Sequence, residues 1–373
     1  MKHSFPSLSR PGIVCALGAD PLDVWKGALS GISPGMRPCE GILPGGVACP
    51  FGFADVPDLP QGTARCSALL LAAARQIRPE IEALLAHTRP ERIGIVVGTS
   101  NSTMEEFTAN PVRVDMATPA HALRSFLGLR GPAFSISTAC SSGAKAFASA
   151  RRLLEADVCD AVLVGGTDSF SRIVLCGFHA LESIDCGPMR PFGLGRAGIN
   201  LGEGAALFVL GRDETAPLRF LGIGESSDAH HLTAPHPEGR GAEAAMRAAL
   251  SDAGLAPSDI GYINLHGTGT PLNDRMESLA VSHVFGPETP CSSTKPLTGH
   301  TLGAAGTIEA ALSALMLLQD GDALLPHFLP GALDPELPAL HLVAPGERAS
   351  VDAVLSNSFA FGGSNAALVL AKA

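Results

Sequence analysis

Three segments hold residue types able to carry out covalent acyl transfer. They are Ser137-Thr138-Ala139-Cys140-Ser141-Ser142-Gly143, Asn264-Leu265-His266-Gly267-Thr268-Gly269-Thr270 and Ser293-Thr294-Lys295-Pro296-Leu297-Thr298-Gly299-His300. One supplies a thiol and the other two supply imidazoles, which together make a nucleophile with acid–base partners. A fourth segment, Asn357-Ser358-Phe359-Ala360-Phe361-Gly362-Gly363-Ser364-Asn365, is glycine-rich and could offer backbone N–H donors to a developing oxyanion. Each segment alone is a weak signal. Their occurrence together, in this order, carries the argument.

Residues 133–138 have the pattern of a strand, and small residues from Gly143 onward have that of a buried helix. Cys140 therefore falls in a strand-to-helix turn, where the helix macrodipole and free N–H groups favour a thiolate. Cys15, Cys39, Cys49, Cys66, Cys159, Cys176, Cys186 and Cys291 lack such a setting and read as inert core thiols. His266 follows an apolar strand directly and opens a Gly/Thr loop, which places it at the carboxyl edge of a sheet, where α/β proteins bind ligands. A histidine that merely caps a loop is the alternative. The hydroxyls of Thr268 and Thr270 could bond the amides of a chain-like ligand. His300 precedes another small-residue helix, beginning at 303–306. Lys295 could sit behind the imidazoles, balanced by Glu309; equally, both could be solvated. A metal centre is not expected, because no i, i+4 histidine pair or zincin-type carboxylate spacing accompanies these residues. His230, His231 and His236 read as loop residues.

The chain has 373 residues, 46% hydrophobic and 17% charged, a balance that favours a large packed core over disorder. A formal net charge of −10 argues against nucleic-acid binding, although Arg124, Arg130, Arg151 and Arg152 could form a local basic patch. Nine cysteines, an odd number without C-x-x-C spacing, indicate reduced thiols. Residues 1–10 lack an apolar signal-peptide core, and the apolar run 310–318 is too short to span a bilayer. The expectation is a soluble cytoplasmic protein with no membrane span.

Residues 93–97, 161–164 and 260–264 read as buried strands, and 67–76, 143–155, 242–253 and 306–320 as helices. Their alternation implies an α/β fold with strands covered on both faces. The chain also repeats itself. Residues 204–210 echo 365–370, the strand ending at Gly98-Thr99 echoes that ending at Gly267-Thr268, and the segment around Cys140 echoes 291–318 at an offset of roughly 160 positions. Echoes at a shared offset are the mark of duplication. The polar stretch 212–217 divides the halves, giving 1–214, with the nucleophile, and 215–373, with the histidines. Residues 31–62 and 326–345, rich in Gly and Pro, are expected to be irregular.

Taken together, Thr138-Ala139-Cys140-Ser141-Ser142-Gly143, His266-Gly267-Thr268-Gly269-Thr270, Lys295 with Gly299-His300-Thr301-Leu302-Gly303-Ala304-Ala305-Gly306, and Phe361-Gly362-Gly363-Ser364-Asn365 closely resemble the β-ketoacyl-acyl-carrier-protein synthases. The elongating type (synthase I and II) of the thiolase superfamily is most similar, and the resemblance runs from Gly12 to the C-terminus. It implies a thiolase-like fold, two α/β halves packed as five layers α-β-α-β-α. It implies Cys140, His266 and His300 as catalytic residues, Lys295 and Glu309 as their support, and an oxyanion hole from the backbone of Cys140 and Phe361. Thr268 and Thr270 would hold phosphopantetheine, and Ile199 and Phe361 would gate the acyl pocket. The implied reaction is decarboxylative condensation of an acyl thioester with malonyl-acyl-carrier protein. No cofactor is implied beyond the carrier's phosphopantetheine. The implied partners are an acyl carrier protein and a second subunit, in a homodimer or a heterodimer with a related ketosynthase. Three departures from the family pattern stand out: Ile199 where Phe is frequent, Ala360 where a hinge Gly is common, and a shortened segment 100–124, which in relatives contributes to the dimer interface and acyl pocket. These fit a synthase of a specialised pathway, for a polyketide or an aryl polyene, as well as one of fatty acid synthesis. The alternatives are a non-catalytic partner of chain-length-factor type or another thiolase-fold acyltransferase.

Overall fold

The computed structural model describes residues 5–56, 63–109, 114–319 and 321–373. Three apolar strands, β5 (Ile93–Gly98), β7 (Ala161–Asp168) and β14 (Ala353–Ala360), are buried at every position. Such strands need cover on both faces, and the surrounding elements supply it. In the first half, β5 lies between β6 (Ala133–Ile136) and β7, parallel to both. Strand β7 pairs antiparallel with β9 (Gly204–Gly211), and β9 with β1 (Ser7–Leu8) and β2 (Gly12–Val14).

The second half repeats the plan. Strand β11 (Tyr262–Asn264) lies parallel between β12 (Pro290–Ser292) and β14. β14 pairs antiparallel with β15 (Ser364–Lys372), and β15 with β10 (Leu218–Ser227). β13 (His341–Leu342) extends this edge beyond β12. The orders β6-β5-β7-β9 and β12-β11-β14-β15 therefore match in sequence and sense. Short β1 pairs with β9 on one side and β10 on the other, so the two sheets are continuous with each other.

Helices α1 (Arg65–Gln76) and α2 (Thr118–Leu127) cover the first sheet from outside. Between the sheets run α3 (Ser142–Glu155) and, after α4 (Arg172–Ala180), α5 (Arg240–Ala253) and α6 (Pro271–Phe285), the helix α7 (Ala305–Leu318). α5 and α6 close the outer face of the second sheet. The result is the expected five-layer α-β-α-β-α arrangement. α7 is buried from Ala305 to Leu317, which explains why its sequence is apolar all round instead of striped.

The expected strands and helices appear within a few residues of their sequence limits; residue 320 lies outside the described residues. The segment 31–62 differs. Within it β3 (Met36–Cys39) and β4 (Cys49–Gly52) pair antiparallel, and β4 runs parallel to β8 (Leu201–Gly202). Pro38 and Pro50 hide this pairing locally, and the stabilising partner lies far along the chain. Residues 57–62, like 110–113 of the shortened segment, fall outside the description. The possible basic patch is also largely neutralised: Arg151 pairs with Asp252 at 2.5 Å, Arg152 with Glu225 at 2.5 Å and Arg130 with Glu91 at 3.2 Å.

Candidate active site

The turn between β6 and α3 carries Cys140, preceded by Ala139 at φ 52°, a left-handed conformation unusual for a residue with a Cβ. This sharp turn presents the sulfur to the second half, where His300 Nε2 lies 3.0 Å from Cys140 Sγ. His266, just past the end of β11, places its ring centroid 5.3 Å from that of His300, edge to face at 84°. All three side chains are buried and line one cavity of about 300 Å³.

The two histidines are held differently, His266 through its ring and His300 through its backbone. Lys295, wholly buried, donates to His266 O at 2.5 Å, contacts the Glu309 carboxylate and places Nζ 3.3 Å from His266 Nδ1. An ammonium can only donate, so His266 Nδ1 accepts and the ring proton sits on Nε2. The Lys295–Glu309 pair, left open by the sequence, is thus buried and formed. His300 is strapped to the small sheet: its N–H donates to Asn200 O at 2.7 Å, and its carbonyl accepts from Gly202 N at 3.1 Å.

Burial sets the protonation states. It pushes both histidines well below the ordinary imidazole range, and the Lys295 charge depresses them further. Both are therefore neutral donors or acceptors. The Cys140 thiol is pushed up to about 12, chiefly by desolvation, despite the Lys295 charge and a hydrogen bond from the Phe361 backbone, which lower it. The sequence expectation of a resting thiolate is corrected here: the low-dielectric surroundings outweigh the helix end. Glu309 is raised to about 7 by burial, against the pull of Lys295.

The remaining sequence candidates converge on the same space. Thr268 and Thr270 line the cavity, their hydroxyls 3.0 Å apart. Ile199 lines the same cavity as Cys140, and the Phe361 ring lies against Phe178 of α4, tilted by 37° with centroids 5.7 Å apart. Ala360 has φ −110° and ψ 155°, extended backbone that a Cβ tolerates. The left-handed positions are Gly362 (φ 81°) and Gly363 (φ 72°), so glycine is required there.

Several buried carboxyls escaped the sequence reading, Glu277, Asp274 and Asp168 among them. Glu277 accepts from the backbone N–H of His266 and Gly267, both at 2.7 Å, and Asp274 accepts from Phe192 N at 2.8 Å and Gly269 N at 3.2 Å. Burial raises Asp274 to about 6 and Glu277 to about 7. Their i, i+3 spacing at the start of α6, directly after the His266 loop, was the available signal. Asp168, at the end of β7, had no such signature. Among the described residues, no group of three or more His, Cys, Asp or Glu side chains is arranged to hold a metal ion, and no helix is long and apolar enough to cross a membrane.

Comparison with known proteins agrees with this geometry. The β-ketoacyl synthase N-terminal domain model matches residues 61–216, and the C-terminal domain model matches residues 219–328. The 3-oxoacyl-(acyl-carrier-protein) synthase 2 of Staphylococcus aureus (strain COL) is 34% identical, the match covering 81% of this chain and 80% of that protein. Among solved structures, a chain from the ketosynthase (ApeO) in complex with its chain length factor (ApeC) from Xenorhabdus doucetiae superposes with a TM-score of 0.94. It is 42% identical, with 99% of this chain and 98% of that chain covered. A chain of the ishigamide ketosynthase/chain length factor gives a TM-score of 0.89 at 27% identity, covering 99% of this chain and all of that one (100%). A thiol and two neutral imidazoles converging from duplicated α/β halves, together with these matches, place the chain in the β-ketoacyl synthase family, the condensing acyltransferases of the thiolase fold.

Proposed function

We propose that Cys140 is the acyl-accepting nucleophile and that His266 and His300 drive decarboxylation of malonyl-acyl-carrier protein. The observation that carries this reading is the 3.0 Å approach of His300 Nε2 to Cys140 Sγ, with the His266 ring on the same cavity. In the first half-reaction His300 Nε2–H donates to the sulfur as it attacks the acyl thioester, and the thiol proton passes to solvent. A new S–C bond forms, the carrier's C–S bond breaks, and the departing carrier thiolate takes a proton from solvent. Malonyl carrier then enters. Its C–C bond to the carboxylate breaks, carbon dioxide leaves, and the electron pair passes to the thioester oxygen, held by the Nε2–H groups of both histidines. The enolate carbon attacks the acyl group on Cys140. A C–C bond forms, the S–C bond breaks, and a solvent proton restores the thiol.

The backbone N–H groups of Cys140 and Phe361 are assigned as the oxyanion hole; losing one such donor typically costs about 2.7–4 kcal/mol of transition-state stabilisation. Thr268 and Thr270 are assigned to the phosphopantetheine arm, and Ile199 and Phe361 to the acyl gate. Substrates arrive on an acyl carrier protein, and this chemistry needs no other cofactor. A second subunit, a copy of this chain or a related ketosynthase, is inferred from relatives solved with a chain length factor. The incompletely buried edge strand β6 and exposed Phe126 support it. The repeated strand order supports division into halves 1–214 and 215–373. Nine free cysteines support a cytoplasmic setting.

Cys140→Gln tests the division of labour. Carbon dioxide release from malonyl-carrier protein should persist or rise while condensation is lost. A folded variant that loses both activities would contradict it. Absence of an acyl adduct on wild-type Cys140 by mass spectrometry, with tight binding to another ketosynthase, would favour the non-catalytic partner.

A further inference from the structure

We propose that Asp168 is a positioning residue for the condensation: its buried carboxylate bridges the two halves and fixes the turn that aims His300 at Cys140. The proposal rests on the reading of His300 and Cys140 as reacting groups. Asp168 is fully buried, and the partners of its carboxylate are hydroxyls and backbone N–H groups. Oδ1 accepts from Thr99 Oγ1 at 2.6 Å and Asn101 N at 3.0 Å. Oδ2 accepts from Ser100 Oγ at 2.5 Å, and Ser100 N reaches both oxygens at 3.0 Å. These bonds all come from the loop after β5, in the first half. The remaining bond crosses to the second half, where Gly303 N donates to Oδ2 at 2.7 Å.

Gly303 lies three residues past His300, immediately after Leu302 at φ 52°. A leucine in the left-handed region costs on the order of 1–3 kcal/mol and persists only where its surroundings hold it. Here the turn is pinned at both ends. Asn200 and Gly202 hold the His300 backbone in front, and Asp168 holds Gly303 behind. Release of the rear bond lets Leu302 relax to negative φ, which swings the imidazole off the sulfur. The same turn leads into α7, which carries Glu309, the partner of Lys295 behind His266. One carboxylate therefore indexes both imidazoles to a nucleophile on the opposite half.

Asp168→Asn keeps the shape but sets an amide N–H against donors. The expected result is a folded enzyme whose condensation kcat falls about 10- to 100-fold, the scale of an ångström misplacement, with KM for both carrier substrates unchanged. In a Cys140→Gln background, carbon dioxide release should fall by the same factor. Gly303→Ala approaches the clamp from the other side without altering charge, because its methyl would meet Ser100 N at 2.6 Å and Asp168 Oδ2 at 2.8 Å. It should reproduce the loss, and the double variant should be no worse than either single one. Unchanged kcat in folded Asp168→Asn, a KM effect alone, or intact decarboxylation in the Cys140→Gln background each overturns the proposal. Should Asp168→Asn fail to fold, Gly303→Ala decides by the same criteria. His300→Ala with intact condensation would instead overturn the underlying site reading.

Discussion

Lys295 is the residue on which stability and chemistry press hardest in opposite directions. Its ammonium is wholly buried, and its contacts are Glu309 and the His266 segment. Removing one partner of a buried ion pair commonly costs 3–5 kcal/mol, whereas replacing both by apolar groups is often neutral, so roughly that range is expected for Lys295→Met alone. Lys295→Met/Glu309→Leu should regain most of that stability in urea denaturation. Carbon dioxide release should stay low in both, because His266 Nδ1 has lost the donor that fixes its tautomer. Recovery of carbon dioxide release in the double variant would show that Lys295 has only a structural role. Ile199 poses a question of shape instead. It lines the same cavity as Cys140, where a larger ring would narrow the path for an acyl chain. Ile199→Phe should raise KM for bulky or rigid acyl groups and leave short saturated ones nearly unchanged in a competition assay; equal effects on both would refute the gate. The thiol and the two imidazoles were readable from the chain by motif, whereas the residues left the Lys295–Glu309 contact open. The protonation state of Cys140 was not readable, because it depends on how much water the fold removes from the sulfur.

Elements position these residues through contacts that local sequence patterns do not reveal. The small sheet β3-β4-β8 is the clearest case. β8 has two residues and no strand signature, yet its Gly202 N–H holds the His300 carbonyl. Strong local patterns, such as β5 and α3, were legible to within a residue or two; β8 exists only because β4 reaches it. His327 is another long-range link. Buried between strand β12 and the loop at 191, its Nδ1 accepts from Ser293 N at 3.2 Å and its Nε2 faces Pro191 O at 3.1 Å. A neutral ring satisfies both contacts, and burial lowers His327 from 6.5 to about 4. Below pH 6.5 the unfolded chain therefore binds a proton that the folded chain refuses. This contribution is complete above pH 6.5 and falls between 6.5 and about 4, by up to about 1.4 kcal/mol per pH unit. Buried Glu277, Glu309 and Asp274 are raised and act with the opposite sign, but they are common to wild type and variant. His327→Gln should therefore show a shallower loss of denaturation midpoint than wild type across that window. Parallel profiles would mean that folded His327 takes up its proton over the same pH range as the unfolded chain.

On the scale of the whole molecule, duplication makes the site, since Cys140 and His300 stand 160 residues apart at corresponding turns of the two halves. The echoes in sequence foretold the repeated strand order, but they could not show how closely the two central helices meet. That depends on Gly143. A methyl there would lie 2.9 Å from Gly303 O and from Thr307 N, and would overlap Thr307 Oγ1. Helix propensity alone favours Gly143→Ala by about 1 kcal/mol, because alanine restricts the unfolded chain. Overpacking opposes it by roughly 1–3 kcal/mol, since α3 and α7 are pressed between two sheets and neither can yield. The overlap should win. Gly143→Ala is expected to melt below wild type and to lose condensation activity as α3 moves off the His300 turn. Gly143→Ala/Thr307→Gly removes the hydroxyl but leaves the backbone contacts, so only part of the stability should return. A Gly143→Ala protein that melts above wild type would mean that propensity decides, and that the halves do not owe their spacing, or the 3.0 Å approach of imidazole to sulfur, to this glycine.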